Sequence, residues 1–351
     1  MSSEAKTVVV AGAQGVIGRA AAEHFHGLGW NVVGLARRAA ADDLPVRQLS
    51  VDLLDRADTE AKLRELTQAT HLVFAAYVER PTASEAVAPN LAMLRNALDA
   101  LEAAAPNLEH VTFYQGGKAY GAHLGTFKTP AREDDPRHMP PNFYYDQEDL
   151  LRERQRGARW HWTALRPEAV CGYALGNPMN LAMVIAVYAT ICKELGLPLR
   201  FPGTGAAYDA LYQVTSAEIL ARATAWAATS PAAHEQIFNI TNGDYFRWRH
   251  LWPAIARAFA LPVGDALHIP LAEYMADKGP LWERIAAREG LRPIPYAQLA
   301  SWGFGDAIFG MDFDNISSTI KARRAGFPEC IDTEEMFVSF FEGLRRRRVI
   351  P

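Results

Sequence analysis

Two adjacent tyrosines sit in the stretch NFYYDQED, Asn142 to Asp149. A phenol can hand a proton or a hydrogen bond to an oxygen on which negative charge is growing. With an ordinary pKa of about 10, it does so at neutral pH only with help, which a neighbouring ammonium supplies by favouring the phenolate. In many nicotinamide-dependent reductases that ammonium is a lysine four positions after the tyrosine. Here the position four after Tyr144 is Glu148, and four after Tyr145 is Asp149. Two readings therefore stand: a catalytic tyrosine whose lysine comes from elsewhere, or a pair of core aromatics. The apolar run HVTFYQ, His110 to Gln115, ends in Gly116, Gly117 and Lys118. A lysine just past the carboxyl end of a strand lies where doubly wound sheets bind ligands. The two glycines leave the backbone room beside a flat ring. A loop lysine is also a common surface feature.

A second constellation is VVVAGAQGVIG, with Gly12, Gly15 and Gly18 between an apolar β-branched run and an amphipathic one. Gly12 permits a tight turn, Gly15 lets backbone amides approach a pyrophosphate, and Gly18 lets the helix pack closely on the sheet. The helix N-terminus adds free N–H groups and partial positive charge for the anion. The next strand ends in GLARR, with no carboxylate until Asp42. Arg37 and Arg38 there suit a 2′-phosphate, to which guanidiniums make charge-assisted, often bidentate bonds. The cofactor expected is NADP(H) rather than NAD. Asp52, in SVDL at the end of the third strand, is placed either to reach the adenine amino group or to form a turn.

The elements that must position these groups read as α/β. TVVVA (7–11), NVVGLA (31–36), RQLSVDL (47–53), HLVFAA (71–76) and HVTFYQ (110–115) alternate with helical runs, among them PNLAMLRNALDALEAA from Pro89. Such alternation predicts a Rossmann-type, doubly wound parallel sheet covered by helices on both faces. KTPAREDDPRHMPP is a loop, and a helix follows from about Phe143 to Arg156, capped by Asn142 with acids early and arginines late. HWTALRP and IFNIT add strands. Beyond Gly172 the pattern is mostly helical. The expected division is residues 1–172 as the NADP-binding domain and 173–351 as mainly a smaller substrate lobe, with some segments returning to the sheet.

Composition excludes other classes. With 36 Lys+Arg against 40 Asp+Glu and a net charge of −4, there is no electrostatic case for nucleic acid or an anionic membrane. Cys171, Cys192 and Cys330 have no metal-ligand spacing and read as reduced thiols of a cytoplasmic protein, so no metal is expected. MSSEAKTVVV carries no secretory pattern, and NLAMVIAVYATIC is too short to span a bilayer. LRRRRVIP reads as the cationic last turn of the helix begun by EEMFVSFFEGL. Most C-terminal aromatics, such as Trp248 and Trp252, are expected in the core. A homodimer is the expected assembly.

The order of motifs resembles the progesterone 5β-reductase/iridoid synthase-like family, atypical extended short-chain dehydrogenases that reduce activated C=C bonds with NADPH. The strings that carry the likeness are GAQGVIG, GLARR, THLVF, QGGKAYG, NFYYDQED, LRPEAVCGYALGNPMNLAMVIAVYATICKE, LRFPG, IFNITNGDYFRWRHLW and WGFGD, spanning nearly the whole chain. The resemblance implies Lys118 and Tyr144 as the catalytic pair, with Tyr145 a packing partner. It further implies cofactor contacts from Gly12, Gln14, Gly15, Val16, Ile17 and Gly18, and from Arg37 and Arg38 at the 2′-phosphate. Asp52 and Leu53 would flank the adenine. Ala76 and Gln115 would meet the middle of the cofactor, Val170 with Asn177, Pro178 and Met179 its nicotinamide end, and Tyr144 would contact it as well. The loop between Lys118 and Tyr144 is shorter than in the plant enzymes, and a Thr-Trp pair of the family reads Ala76-Tyr77 here. Both departures touch the substrate mouth and speak against steroid-sized substrates. The activity implied is NADPH-dependent 1,4-reduction of an enone or enal. Its rivals are a carbonyl reductase, a sugar-nucleotide epimerase-like enzyme, and a non-catalytic NADP sensor.

Overall fold

Valines set the centre of the sheet. The strand β1 (Thr7–Ala11), TVVVA, is buried along its whole length, as a central parallel strand covered on both faces must be. This computed structural model describes residues 6–38, 41 and 43–351. Asp42 falls outside them. The chain continues through α1 (Val16–Gly27), β2 (Asn31–Ala36), β3 (Arg47–Ser50), α2 (Arg56–Leu63), β4 (His71–Phe74), α3 (Ala83–Ala104), β5 (His110–Tyr114), α4 (Phe143–Gln155) and β6 (His161–Pro167). Short strands follow: β7 (Val170–Cys171) pairs with β10 (Thr215–Ser216), β8 (Leu199–Arg200) with β13 (Val263–Gly264), and β9 (Leu211–Tyr212) with β12 (Phe246–Arg247). The strand β11 (Gln236–Ile240) returns to the main sheet, whose order is β11-β6-β5-β4-β1-β2-β3 with every pairing parallel. Chain order reverses between β1 and β4, which opens a ligand crevice at the carboxyl ends of those strands.

Helices α2, α3 and α4 cover one face of the sheet. The other carries α1 and, after α5 (Leu181–Glu194) and α6 (Gly205–Asp209), the helix α7 (Ala217–Thr229). A third core lies in the C-terminal half, around the fully buried face of α5 and the rings of Phe201, Tyr212, Trp248, Trp252 and Phe309. The expected role of those tryptophans as core is met. The C-terminal helix Thr333–Arg346 carries Arg345 and Arg346 in its last turn, so the arginine run is helical there. No helix among the described residues is long and apolar enough to cross a membrane, and among them no group of three or more His, Cys, Asp or Glu is placed to hold a metal ion.

Two expected boundaries move by three residues or more. Helix α3 begins at Ala83, not Pro89, because the Thr82 hydroxyl accepts the Glu85 N–H and caps a turn that runs straight through the proline. Strand β3 stops at Ser50 rather than Leu53. Asp52 accepts the Leu54 N–H on its own carboxylate at 3.0 Å and donates its backbone N–H to Asp58 at 2.9 Å, so it folds the chain into a turn.

At the opposite, amino-terminal edge the first residues of β4, β5 and β6 are His71, His110 and His161, in register across three strands. The ring of His161 stacks on His234 at 3.6 Å. His71 is 1% exposed and bonds the Ala228 carbonyl through Nε2 at 3.0 Å. Burial pushes its imidazole down to about 4, and it pushes His110 well below the usual value as well.

Candidate active site

The cofactor cradle is made by atoms that are missing. Gly12 has φ +80°, and a Cβ there would stand 2.7 Å from the Ala75 carbonyl oxygen and 2.9 Å from the Ala76 nitrogen. That is why the end of β4 can close against the loop after β1. A Cβ on Gly18 would overlap the Gly12 carbonyl. Gly15 caps α1, donating its N–H to Gly12 at 2.9 Å, and the first helical bond runs from Arg19 back to Gly15. The amides of Val16, Ile17 and Gly18 precede that bond, as at any helix start. Val16 is itself buried against Ala174 and Ala217.

Above the loop lies the segment Asn177–Met179. The Asn177 amide nitrogen is 3.4 Å from where a Cβ on Gly15 would be, and its oxygen accepts the Met179 N–H at 2.9 Å across Pro178. Both arginines are exposed past the end of β2. Arg38 donates to the Leu175 carbonyl at 3.1 Å and to the Gln14 carbonyl at 3.5 Å, so it also straps the overlying segment to the loop. Gln14 reaches Gln48 at 3.3 Å. Val170 is half-buried in β7 and Ala76 half-buried beside Gly12. The residues thus fit a dinucleotide: a side-chain-free cradle, helix amides and free cationic reach at one end.

Two expected contacts are spent on the protein. Leu53 is buried in the sheet core and its carbonyl accepts from Asn96 at 2.9 Å. The Gln115 side chain donates to the Tyr144 carbonyl at 3.0 Å and to Glu148 at 3.1 Å, and accepts from Arg166 at 2.6 Å. Its backbone N–H goes to the Leu165 carbonyl at 2.9 Å, so both the side chain and the N–H of Gln115 are engaged. Asp52, exposed and engaged in its turn, keeps one carboxylate oxygen outward.

Tyr144 and Lys118 come to the same sheet edge through one amide. The Asn142 side chain donates to the Lys118 carbonyl at 3.0 Å and accepts the Tyr144 N–H at 3.2 Å, so the cap of α4 is also a clamp on the turn after β5. The Tyr144 hydroxyl stands over Gly116, 3.5 Å from where a Cβ would sit. Its ring packs on Phe143, which packs on Tyr77, with centroids at 4.5 and 5.7 Å. Burial raises the Tyr144 phenol, with the Tyr77 and Glu168 charges adding in the same direction. The hydroxyl therefore keeps its proton. The Lys118 ammonium is exposed and, among the described residues, makes no hydrogen bond to Tyr144. Its charge helps burial lower His123. Tyr145 is the locked neighbour, donating to the Ala119 carbonyl at 3.0 Å and accepting the His138 N–H at 2.9 Å.

Glu148, at the position where a lysine was sought, is a buried anchor. Arg152 and Arg137 bind it at 2.9 and 3.2 Å, and Arg166 lies 3.6 Å away. Although burial pushes its carboxyl up, the bonds from Gln115 and Arg152 hold it below the usual range. Sequence reasoning missed Glu168. It directly follows β6 and is 5% exposed, accepting from Ser317 at 3.2 Å and Asn315 at 3.4 Å. Burial lifts it to about 7. An acid at the carboxyl end of a strand, inside the apolar string LRPEAV, was the available signal.

A doubly wound sheet with this cradle at its switch point defines a Rossmann-type oxidoreductase that uses a nicotinamide cofactor. Residues 39–351 match the PRISE-like Rossmann-fold domain, and the chain belongs to that family. It is 33% identical to an (S)-8-oxocitronellyl enol synthase of Nepeta cataria over 98% of this chain and 92% of that one. A short chain dehydrogenase of Penicillium aethiopicum is 34% identical, with 99% of each chain covered. A 3-oxo-Delta(4,5)-steroid 5-beta-reductase of Arabidopsis thaliana is 32% identical over 98% of this chain and 92% of its own. Among solved structures, the UDP-glucose 4-epimerase of Thermus thermophilus in complex with NAD superposes with a TM-score of 0.67 at 20% identity, covering 97% of this chain and 99% of that one. That likeness is one of fold.

Proposed function

We propose that this chain is an NADPH-dependent ene-reductase that performs 1,4-reduction of α,β-unsaturated carbonyl compounds, enones or enals. The observation that carries the proposal is the Asn142 clamp, which sets a protonated Tyr144 hydroxyl and the Lys118 turn together at the carboxyl edge, beside the glycine cradle. Bound NADPH supplies the hydride that the β-carbon receives. As the C=C electron pair moves toward the carbonyl, negative charge grows on its oxygen, and Tyr144 donates a hydrogen bond or its proton there. Lys118 supplies positive field to the same oxygen. A tyrosine whose environment keeps the proton on suits a donor to an enolate better than a base. Relatives named as an enol synthase and as a reductase of a 4,5-unsaturated 3-oxo steroid are in keeping with that chemistry.

The choice of NADPH rests on Arg37 and Arg38 at the end of β2, where a 2′-phosphate meets guanidinium rather than carboxylate. Gly12, Gln14, Gly15 and Val16 hold the pyrophosphate side, and Val170 with Asn177–Met179 the nicotinamide side. Residues 1–172 carry the cofactor and the catalytic pair, while residues 173–351 mainly shape the substrate side. The test is regiochemical. With 4-deuterated NADPH and a small cyclic enone, deuterium should appear on the carbon beta to a retained carbonyl. Deuterium on a carbinol carbon would identify a ketone reductase, and no substrate-dependent oxidation of NADPH would leave only a cofactor-binding protein.

A further inference from the structure

The carboxyl of Glu168 presses on the catalytic turn from beneath. A Cβ on Gly117 would lie 2.9 and 3.1 Å from its two oxygens, so the acid packs on the residue between Gly116, under the Tyr144 hydroxyl, and Lys118. Its own N–H is held by Thr215 at 2.9 Å, and its carboxyl by Ser317 and Asn315, from the segment that also bonds Gln213 and Leu211. Both donors to the carboxyl are neutral, at 3.2 and 3.4 Å. Among the described residues no lysine, arginine or histidine forms an ion pair with it. The nearest guanidinium along the chain, Arg166, is turned to Gln115 and the Glu133 carbonyl and lies over the Tyr120 ring.

A buried carboxylate without a cation is costly, and one further observation is compatible with a proton here. Among the described residues the Asn315 Oδ1 is buried with no hydrogen-bond partner, while its amide nitrogen meets both Glu168 and the Met311 sulfur. Turning that amide by 180° puts Oδ1 on the carboxyl, where it accepts the proton of the neutral acid. The ionisable groups around Glu168 agree. Tyr144 on α4, Tyr120 on the turn and Tyr212 on β9 are all driven up by burial, and all feel the Glu168 charge as a further push upward. Glu133 adds negative charge near Tyr120 and Arg166 offsets it there, while Lys118 is exposed on the turn itself.

We propose that Glu168 is a positioning residue that supports the Gly116–Lys118 turn as an uncharged acid, and that its ionisation slows the reaction on the alkaline side. The proposal rests on the ene-reductase reading above. An ionised Glu168 sets negative charge behind the turn just as negative charge grows on the substrate oxygen in front of it. At protein dielectric this lowers turnover by about tenfold.

Two measurements test it. The first is kcat against pH with cyclohexenone and saturating NADPH. Wild type should lose about tenfold with rising pH through the neutral range, Glu168→Gln should show no such limb whatever its absolute rate, and Ser317→Ala, which removes a donor to the carboxylate, should move the limb to higher pH. A limb that persists in the glutamine variant, or does not move in the alanine variant, overturns the proposal. The second needs no turnover. Infrared difference spectra should show a protonated carboxyl C=O band on the acid side of neutrality that vanishes on raising pH and is absent from Glu168→Gln. A wild type without that band carries Glu168 ionised, which also overturns the proposal. A chain that shows the band but reduces no enone would refute the ene-reductase reading instead.

Discussion

Replacing His71 by glutamine gives a pH test of the fold. In the folded chain, burial at the foot of β4 pushes the His71 imidazole from its ordinary 6.5 down to about 4. The Glu109 carboxylate, 3.9 Å away but half exposed, does not offset that burial. Below 6.5 the unfolded chain takes up a proton that the folded chain refuses. The stability tied to a neutral His71 is therefore complete above 6.5 and is lost as pH falls toward 4. At about 1.4 kcal/mol per pKa unit, the loss between about pH 7.5 and about pH 5 is roughly 2 kcal/mol. Glu168 works against it over the same range, since a carboxyl lifted to about 7 regains its proton as pH falls and so relieves a cost present at alkaline pH. A wild-type stability curve alone mixes the two. The difference between wild type and His71→Gln does not, because Glu168 is common to both. Urea unfolding at a series of pH values should show the wild-type advantage shrinking by roughly 2 kcal/mol on acidification. A constant or widening difference would refute the reasoning that His71 is held neutral.

Two further outcomes concern the site. Tyr144→Phe should lower kcat by about 10²–10³ while the NADPH Kd, followed by cofactor fluorescence, stays put; a mutant with near-full turnover would remove Tyr144 from the chemistry. Arg37→Glu should weaken NADPH by roughly 10–100-fold and leave NADH unchanged, with equal effects on both cofactors the refuting result. Arg37 is the cleaner choice, since Arg38 also holds the Leu175 carbonyl.

Much of this was written in local pattern. The strand–glycine loop–helix unit follows from a β-branched run meeting three glycines, and the start of α4 follows from Asn142 as a cap with acids behind it. What escaped depends on partners remote in sequence. Nothing local in HVTFYQ says that Gln115 will spend its amide on Tyr144, Glu148 and Arg166, because those residues arrive from α4 and β6. Asp52 reads equally as a ligand or a turn former until Asp58 supplies the second half of the turn. Glu168 is buried only once Asn315 and Ser317, far along the chain, close over it. Helix α3 starts six residues before Pro89, because Thr82 caps it there and the proline is carried inside the helix.

The Asn142 bridge has a consequence for how such proteins change over time. Because one side chain fastens the exit of the excursion after Lys118 to its return before Tyr144, residues 121–141 form a detour whose two ends are fixed to each other. Insertions and deletions there, near Leu124 and Met139, both solvent-facing, can remodel the rim that meets a new compound while the proton donor stays where it is. Change is then tolerated at the exposed tips of that segment, while its anchored points at Ala131, Glu133 and His138 stay tied to the core.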